Sequence, residues 1–412
     1  MSESMPLRSG VFIAPYHPDD ESPSLQIRDD LALAGHLDEL GYDELWIGEH
    51  HSASFETIAS PEIFIAAAAE RTRRIRLGTG VVSLPYHNPL MVADRISQLD
   101  HQTRGRVMLG VGPGQLPSDA HMLGIDVADQ RRRMHESLEV IIRLLRGEVV
   151  TQKTDWFDLR DARCQLGCFT QPMVEMAVAA AVSPSGPTAA GTHGLGLLSF
   201  AATSEQGFDV LPAHWNLCEQ LATENGHRVD RSKWRLVVPM HLAETREQAE
   251  ADMSYGLIKL VRYFEKLSGG ELSEVQTLDA AVEQWRDRGL SLLGRAVIGT
   301  PDDAVARLRE LQAQSGGFGT ILLLDHDCAS PQRKRASYEL FARAVLPELR
   351  GANQGRTESL EWFRQHSEQI VGDLKNAIGK TIAEHEAERK KRGSGVAWGD
   401  ARDLLVGEDE KE

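Results

Sequence analysis

The feature that most constrains this chain is an alternation kept up over most of its length. Short apolar runs are each followed by a stretch with helical spacing. Such alternation produces repeated β-α units and a parallel sheet. Val11–Pro15 reads as the first strand, Tyr42–Ile47 as the second, Ile75–Leu84 as the third and Arg106–Val111 as the fourth. Met173–Val182, Leu195–Ala202, Trp234–Leu242 and Phe318–Leu324 complete a set of eight. The helices expected between them are Ser24–Leu40, stopped by Gly41, then Pro61–Thr72, Pro89–Gln102 and Gln130–Arg146. A fifth opens at Ser183 and stops at His193-Gly194, and Thr245–Leu267, Asp302–Gln314 and Tyr338–Leu349 follow. Glycine just past the last periodic residue stops a helix because it takes left-handed backbone without a Cβ penalty. Eight strands in this order, joined by right-handed crossovers, fit an α/β fold of the (β/α)8 TIM-barrel type.

At 412 residues the chain exceeds a minimal barrel of ~250 residues, which leaves room for insertions and an extension. The expected barrel covers residues 1–350, with Ser268–Leu290 as an acidic insertion lacking a strand. From Gly351 the character changes. Leu360, Phe363, Ile370, Val371, Leu374, Ile378 and Ile382 recur at helical spacing in a charged background, so 351–412 reads as an amphipathic helical extension with a polar tail from Arg389. It suits packing on its own barrel, against a partner subunit or against another protein, and packing against a partner subunit is the role expected of it.

The formal net charge of −16 gives no basic face for a nucleic-acid backbone. Four cysteines, Cys164, Cys168, Cys218 and Cys328, are too few and scattered for a disulfide framework, and no second pair completes a zinc site around Cys164 and Cys168. Met1–Gly10 lacks the blocks of a signal peptide, and no apolar run reaches the ~20 residues that span a bilayer, so a cytoplasmic protein is expected.

Chemistry concentrates where strands end. Glu49-His50-His51 follows the apolar Leu45-Trp46-Ile47, placing titratable groups at the carboxyl edge where barrel enzymes react. On an extended strand adjacent histidines face opposite sides, so at most one points inward. An inward imidazole suits proton handling near neutral pH, although most histidines are simply packed or solvated. Gly110-Val111-Gly112-Pro113-Gly114 fails as a dinucleotide fingerprint, since the third glycine comes early and Pro117 follows with no helix opening; a loop whose N–H groups face an anion or a ring edge is the other reading. Ser183-Pro184-Ser185-Gly186-Pro187 at a helix start suits an anion, or equally plain N-capping by Ser183 or Ser185. Arg131, Arg132 and Arg133 begin a helix at its positive dipole end, which an adjacent anion would explain and a solvated charge run would also satisfy. No metal motif and no nucleophile elbow is present.

Taken in order, Gly41-Tyr42-Asp43-Glu44-Leu45-Trp46 with Glu49-His50-His51, Gly78-Thr79-Gly80-Val81-Val82 with Leu84-Pro85 and His87-Asn88-Pro89, Asp94, Asp100, Gly105-Arg106, Gly110-Val111-Gly112 and the closing Ala344–Leu349 resemble the bacterial luciferase-like flavin-dependent monooxygenases, and within them the limonene 1,2-monooxygenase-like members. The resemblance implies a barrel that binds FMN at its mouth, usually as a dimer. It implies reduced FMN supplied by a separate flavin reductase, reaction with O2 to a C4a-hydroperoxyflavin, and oxygenation of a small apolar substrate. It also implies roles. His50 matches the histidine of peroxyflavin chemistry, Gly80-Val81 a non-prolyl cis peptide under the flavin, and Gln115 a backbone contact to it. Arg131 matches the phosphate-binding arginine in an ungapped alignment, and Arg132 fits as well if one residue is inserted. Ser183 and Gly186, with Ser185 between them, match the phosphate loop after strand five. Gly112 replaces the family's flavin-proximal cysteine and Pro113 a second cation, so light emission is not implied. A deazaflavin-dependent dehydrogenase, an enzyme that oxidatively breaks down flavin, and a non-catalytic flavin-binding protein are the competing readings.

Overall fold

The structure is a computed structural model that describes residues 7–267 and 272–393. The chain divides into two compact units between Arg350 and Gly351. In the first, eight parallel strands close on themselves: β1 (Arg8–Ile13), β2 (Glu44–Ile47), β3 (Arg76–Thr79), β4 (Val107–Gly112), β5 (Glu175–Ala180), β6 (Gly196–Ser199), β7 (Trp234–Leu242) and β8 (Thr320–Asp325). Each pairs with the next, and β8 returns to β1 with Arg8 opposite Thr320 and Ile13 opposite Asp325. This is the (β/α)8 barrel.

Strands covered on both faces read as unbroken apolar runs, and every residue of β4 and β7 is buried. Alternation sorts their side chains. Phe12, Trp46, Met108, Ala177, Leu198, Val237 and Leu322 form the inner cluster. Their sequence neighbours Val11, Leu45, Leu109, Val178, Leu197, Leu236 and Leu323 pack in the cluster under the helices.

The end where strands begin is closed by charge. Arg235, fully buried, donates to both Glu44 oxygens at 2.7 and 2.9 Å and to Glu175 at 2.5 Å, over the Trp46 ring. Burial disfavours the guanidinium, but the two carboxylates outweigh it and hold Arg235 protonated. Burial acts the same way on Glu175, yet Arg235 and Arg76 bring its pKa down to about 2. Paired charges at this end hold the barrel together rather than react.

The helices that shape the site are α1 (Pro23–Leu40), α2 (Pro61–Ala69), α3 (Pro89–Thr103), α4 (Gln130–Leu145), α5 (Ser185–His193) and α6 (Glu205–Glu224). Several expectations need correction. The single strand Ile75–Leu84 is β3 followed, after a cis Gly80–Val81 peptide, by Val82–Ser83, which pairs instead with the end of β4. α6 is a helix the pattern concealed, because Pro212 sits inside it. Between α4 and β5 the chain forms a short antiparallel hairpin, Val150–Lys153 with Asp158–Ala162, which no apolar run announces. Thr245–Leu267 is not one helix: Arg246–Asp252 gives way to a tight turn, and Leu257–Leu267 starts again after Gly256, whose N–H donates to the Cys328 carbonyl. Within Ser268–Leu290, residues 268–271 lie outside the described set, while Leu278–Glu283 is helical and the following wide turn buries Trp285. The closing helix starts earlier than Tyr338, at Pro331.

Among its described residues, the second unit, taken by itself, has one helix, Gln354–Arg392, with no buried residue. Leu360, Trp362, Phe363, Val371 and Leu374 are exposed along it. The expected polar tail begins inside this helix, and residues 394–412 lie outside the described set. Among the described residues no helix is long and apolar enough to cross a membrane.

Candidate active site

At the carboxyl ends of the strands a cavity of about 330 Å³ opens. Phe12, Val237 and Leu324 floor it. Its walls come from loops: His50 and Glu56 after β2, Gly80 and Val81 after β3, Gly112 to Leu116 from β4 onward, and Ser183 after β5. Arg131 of α4, Gly186 of α5 and Tyr263 from the excursion after β7 complete the ring.

β2 stops at Ile47, so the histidine pair lies in a loop rather than on a strand. The two rings still diverge. His50 lines the cavity, whereas His51 turns to the buried Glu49, which accepts from His51 Nε2 at 3.0 Å, His87 Nε2 at 2.8 Å and the Ser83 N–H at 3.1 Å. Burial works against the Glu49 anion, but these donors outweigh it and keep the carboxyl below its usual range.

His50 sits between two carboxylates. Nδ1 is 3.1 Å from Asp119 and Nε2 is 3.2 Å from Glu56. Asp119 also accepts from the His51 N–H and the Ser52 hydroxyl. Glu56 accepts from the Tyr263 hydroxyl at 3.1 Å. Burial pushes the imidazolium down, yet the flanking carboxylates more than compensate and His50 is raised overall. Glu56 is driven up to about 7 by burial, only partly offset by His50 and Tyr263.

The opposite wall suits an anion. Arg131 lines the cavity, and among the described residues no carboxylate pairs with it. Arg132 points elsewhere: it bonds Asp129, Glu136 and Asp155 on the surface and does not line the cavity, so the geometry separates the two arginines that the alignment left equivalent. Ser183 and Ser185 also face the cavity, and neither caps α5, whose N-terminus has no side-chain cap. The capping reading therefore fails, and the first N–H groups of α5 are left without intrahelical partners.

Small residues make the space between. Of the glycine run, Gly110 and Gly112 belong to β4 rather than to a loop. A Cβ on Gly112 would lie 2.7 Å from Val81 Cγ2, so a cysteine there would crowd the side chain that the cis peptide presents to the cavity. A Cβ on Gly186 would lie 2.3 Å from the Ala179 carbonyl, which is why α5 can start so close to β5. Gln115 lines the cavity just beyond.

Thus His50, Gly80, Val81, Gly112, Gln115, Arg131, Ser183, Ser185 and Gly186 meet around one space, and Arg132 does not. Sequence reasoning missed Glu56, Asp119 and Tyr263. The one available signal was position after a strand end: Glu56 follows β2, and Asp119 lies in a short helix, Pro117–Met122, that opens after β4 where the sequence pattern gave none.

Comparison with known proteins agrees with this architecture. Residues 7–318 match the family described as luciferase-like monooxygenase. The chain is 50% identical over 342 residues to limonene 1,2-monooxygenase from Rhodococcus erythropolis, covering 83% of this chain and 86% of that protein. It is 46% identical over 362 residues to 4-hydroxyprotoasukamycin monooxygenase from Streptomyces nodosus subsp. asukaensis, covering 87% and 96%. Among solved structures, the oxygenating constituent of 3,6-diketocamphane monooxygenase from Pseudomonas putida, a type II Baeyer-Villiger enzyme in complex with FMN, superimposes with a TM-score of 0.67 at 25% identity over 83% of this chain and 98% of that one. The chain belongs to the luciferase-like monooxygenase family.

Proposed function

We propose that the chain is the oxygenating component of a two-component monooxygenase, taking reduced FMN from a separate reductase and using O2 to oxygenate a small apolar molecule. The observation that carries this reading is the polarity of a single cavity. An arginine that no carboxylate among the described residues pairs with and an uncapped helix N-terminus stand on one side, and a carboxylate-flanked imidazole on another. A flavin with a terminal phosphate has that polarity.

Bound reduced flavin supplies the electrons and the site of oxygen activation. Arg131, Ser183, Ser185 and the N–H groups at Ser185 and Gly186 hold the phosphate, as helix N-termini do. Gly80, Val81, Gly112 and Gln115 leave room for the ring, and His50 exchanges a proton at Nε2 with the reacting group. Phe12, Phe200, Phe264 and Leu293 give an apolar wall that favours an uncharged substrate and keeps water out. Two relatives support the finer points. One is named for limonene, an apolar substrate, and another is described as an oxygenating constituent with FMN bound. The proposal extends to a homodimer, supported by the exposed apolar residues of the C-terminal helix. Sedimentation equilibrium showing only the 45.5 kDa chain would remove that part.

Incubation with reduced FMN, a flavin reductase, ¹⁸O2 and limonene as the first apolar probe tests the reaction. The expected result is one labelled oxygen per product molecule, with turnover lowered roughly 10²- to 10⁴-fold in His50→Ala. Product formed without oxygen would instead indicate hydride transfer and defeat the proposal.

A further inference from the structure

One buried group in the cavity wall has no role in the reading above. Glu56 is eight per cent exposed, yet its carboxylate lines the cavity. It lies where loops from three strand ends meet. Residue 56 is bridged to Tyr16, which follows β1, and its oxygens meet His50, which follows β2, and Tyr263, which follows β7. The backbone around it is fixed: the His50 N–H donates to the Ile58 carbonyl and the His17 N–H to the Phe55 carbonyl. Phe55 stacks on Tyr263 with centroids 4.7 Å apart, which locks the phenol over the carboxylate.

We propose that Glu56 is a positioning residue that acts through His50, gripping Nε2 opposite the Asp119 contact at Nδ1 and sharing one mobile proton with the ring at the cavity wall. The inference rests on the functional reading given above and deepens it. A histidine held by a carboxylate at each nitrogen cannot rotate without breaking a charge-assisted bond. It also has an acceptor ready when it takes up a proton. Glu56 differs from Asp119 in kind. Asp119 is surrounded by donors, the His51 N–H and the Ser52 hydroxyl besides His50, and is held ionised. Among the described residues the Glu56 side chain meets only the His50 ring and the Tyr263 phenol, in an apolar setting that favours its neutral form. One partner of the ring is therefore a fixed anion and the other a proton acceptor of variable charge. The other titratable groups facing the ring and this carboxyl are Glu49 and His51 on the same loop and Tyr16. Burial and the Glu56 charge keep the Tyr16 and Tyr263 phenols protonated, so they donate and do not compete for the proton.

When the shared proton sits on His50 Nε2, Glu56 is the carboxylate that accepts from it. Passing that proton to a reacting anion in the cavity leaves the ring neutral, still held by Asp119 at Nδ1, and leaves Glu56 ionised. Bulk water then re-protonates the pair.

The test uses flavin-free full-length protein, so that it stands apart from any failure of the monooxygenase reading. Histidine ring signals are followed by NMR as a function of pH in the wild type, in Glu56→Gln and in Tyr263→Phe. Glu56→Gln keeps the size and the hydrogen-bonding capacity but loses the charge. The expected result is a fall of about 1 or more in the His50 midpoint, since an opposite charge at this distance is removed. Tyr263→Phe is expected to raise the midpoint of the Glu56 step by removing a donor to its anion. In the loaded enzyme, the limb of the pH–rate profile that belongs to His50 is expected to move to lower pH in Glu56→Gln, with KM for substrate little changed. A correctly folded Glu56→Gln protein whose His50 midpoint stays within about 0.3 of the wild type would overturn the proposal. So would a loss of activity without displacement of the pH profile.

Discussion

Replacing Arg131 with alanine probes the phosphate end of the cavity most sharply, because the neighbouring Arg132 supplies a built-in control. Arg131 faces the cavity and pairs with no carboxylate among the described residues, so its contribution to a bound phosphate is not already committed to a salt bridge. A hydrogen bond to a charged group contributes about 1.5–3 kcal/mol. Arg131 is exposed, so solvent screening favours the lower half of that range. With tenfold for every ~1.4 kcal/mol, FMN should bind roughly 10- to 40-fold more weakly to Arg131→Ala. Arg132 is engaged by three carboxylates on the surface, and Arg132→Ala should leave FMN affinity within about twofold. Riboflavin, which lacks the phosphate, should bind equally to all three proteins. Quenching of flavin fluorescence in anaerobic titrations reads each constant, and raising salt should narrow the FMN difference. The reasoning is refuted if Arg132→Ala is the weaker binder, or if riboflavin loses affinity in Arg131→Ala as much as FMN does.

Other consequences follow from the same geometry. Arg235→Met leaves Glu44 buried beside Glu175 without its main partner, and should cost about 3–5 kcal/mol of stability in urea unfolding while riboflavin affinity at the far end of the barrel is retained. His17 is pressed by burial toward neutrality but held by Asp30 and Asp327, which together bring it up to about 10. A raised histidine stabilises fully below its unfolded value of ~6.5 and loses that contribution as pH rises toward 10. The stability gap between wild type and His17→Gln should therefore shrink between pH 6.5 and 10, measured by urea midpoints. Gly186→Ala drives a Cβ against the Ala179 carbonyl, so a thermal midpoint lowered by the equivalent of about 1–3 kcal/mol is expected, along with weaker FMN binding.

The barrel was legible because its strands are buried on both faces and leave unbroken apolar runs such as Leu45-Trp46-Ile47. What escaped has physical causes. α6 carries Pro212 in its interior, a residue that ordinarily argues against a helix. The hairpin Val150–Lys153 and Asp158–Ala162 is short and mostly polar, so no apolar run marks it. At the site, residues in strand-end loops were readable from position, but their partners were not. His50 meets Asp119 across 69 positions, and Tyr263 meets Glu56 across 207, distances over which one sequence holds no pairing signal. The arginine run shows the same limit. Adjacent residues on a helix point about 100° apart, and only the packing of α4 decides that Arg131 faces inward and Arg132 outward.

Anaerobic protein loaded with reduced FMN, mixed rapidly with oxygenated buffer in a stopped-flow spectrometer, addresses the central claim. The account predicts a flavin signal that appears only with oxygen, decays faster when an apolar substrate is present, and is lost or shortened in His50→Ala. Reoxidation at the rate of free FMN, unaffected by protein, substrate or the histidine, would contradict it.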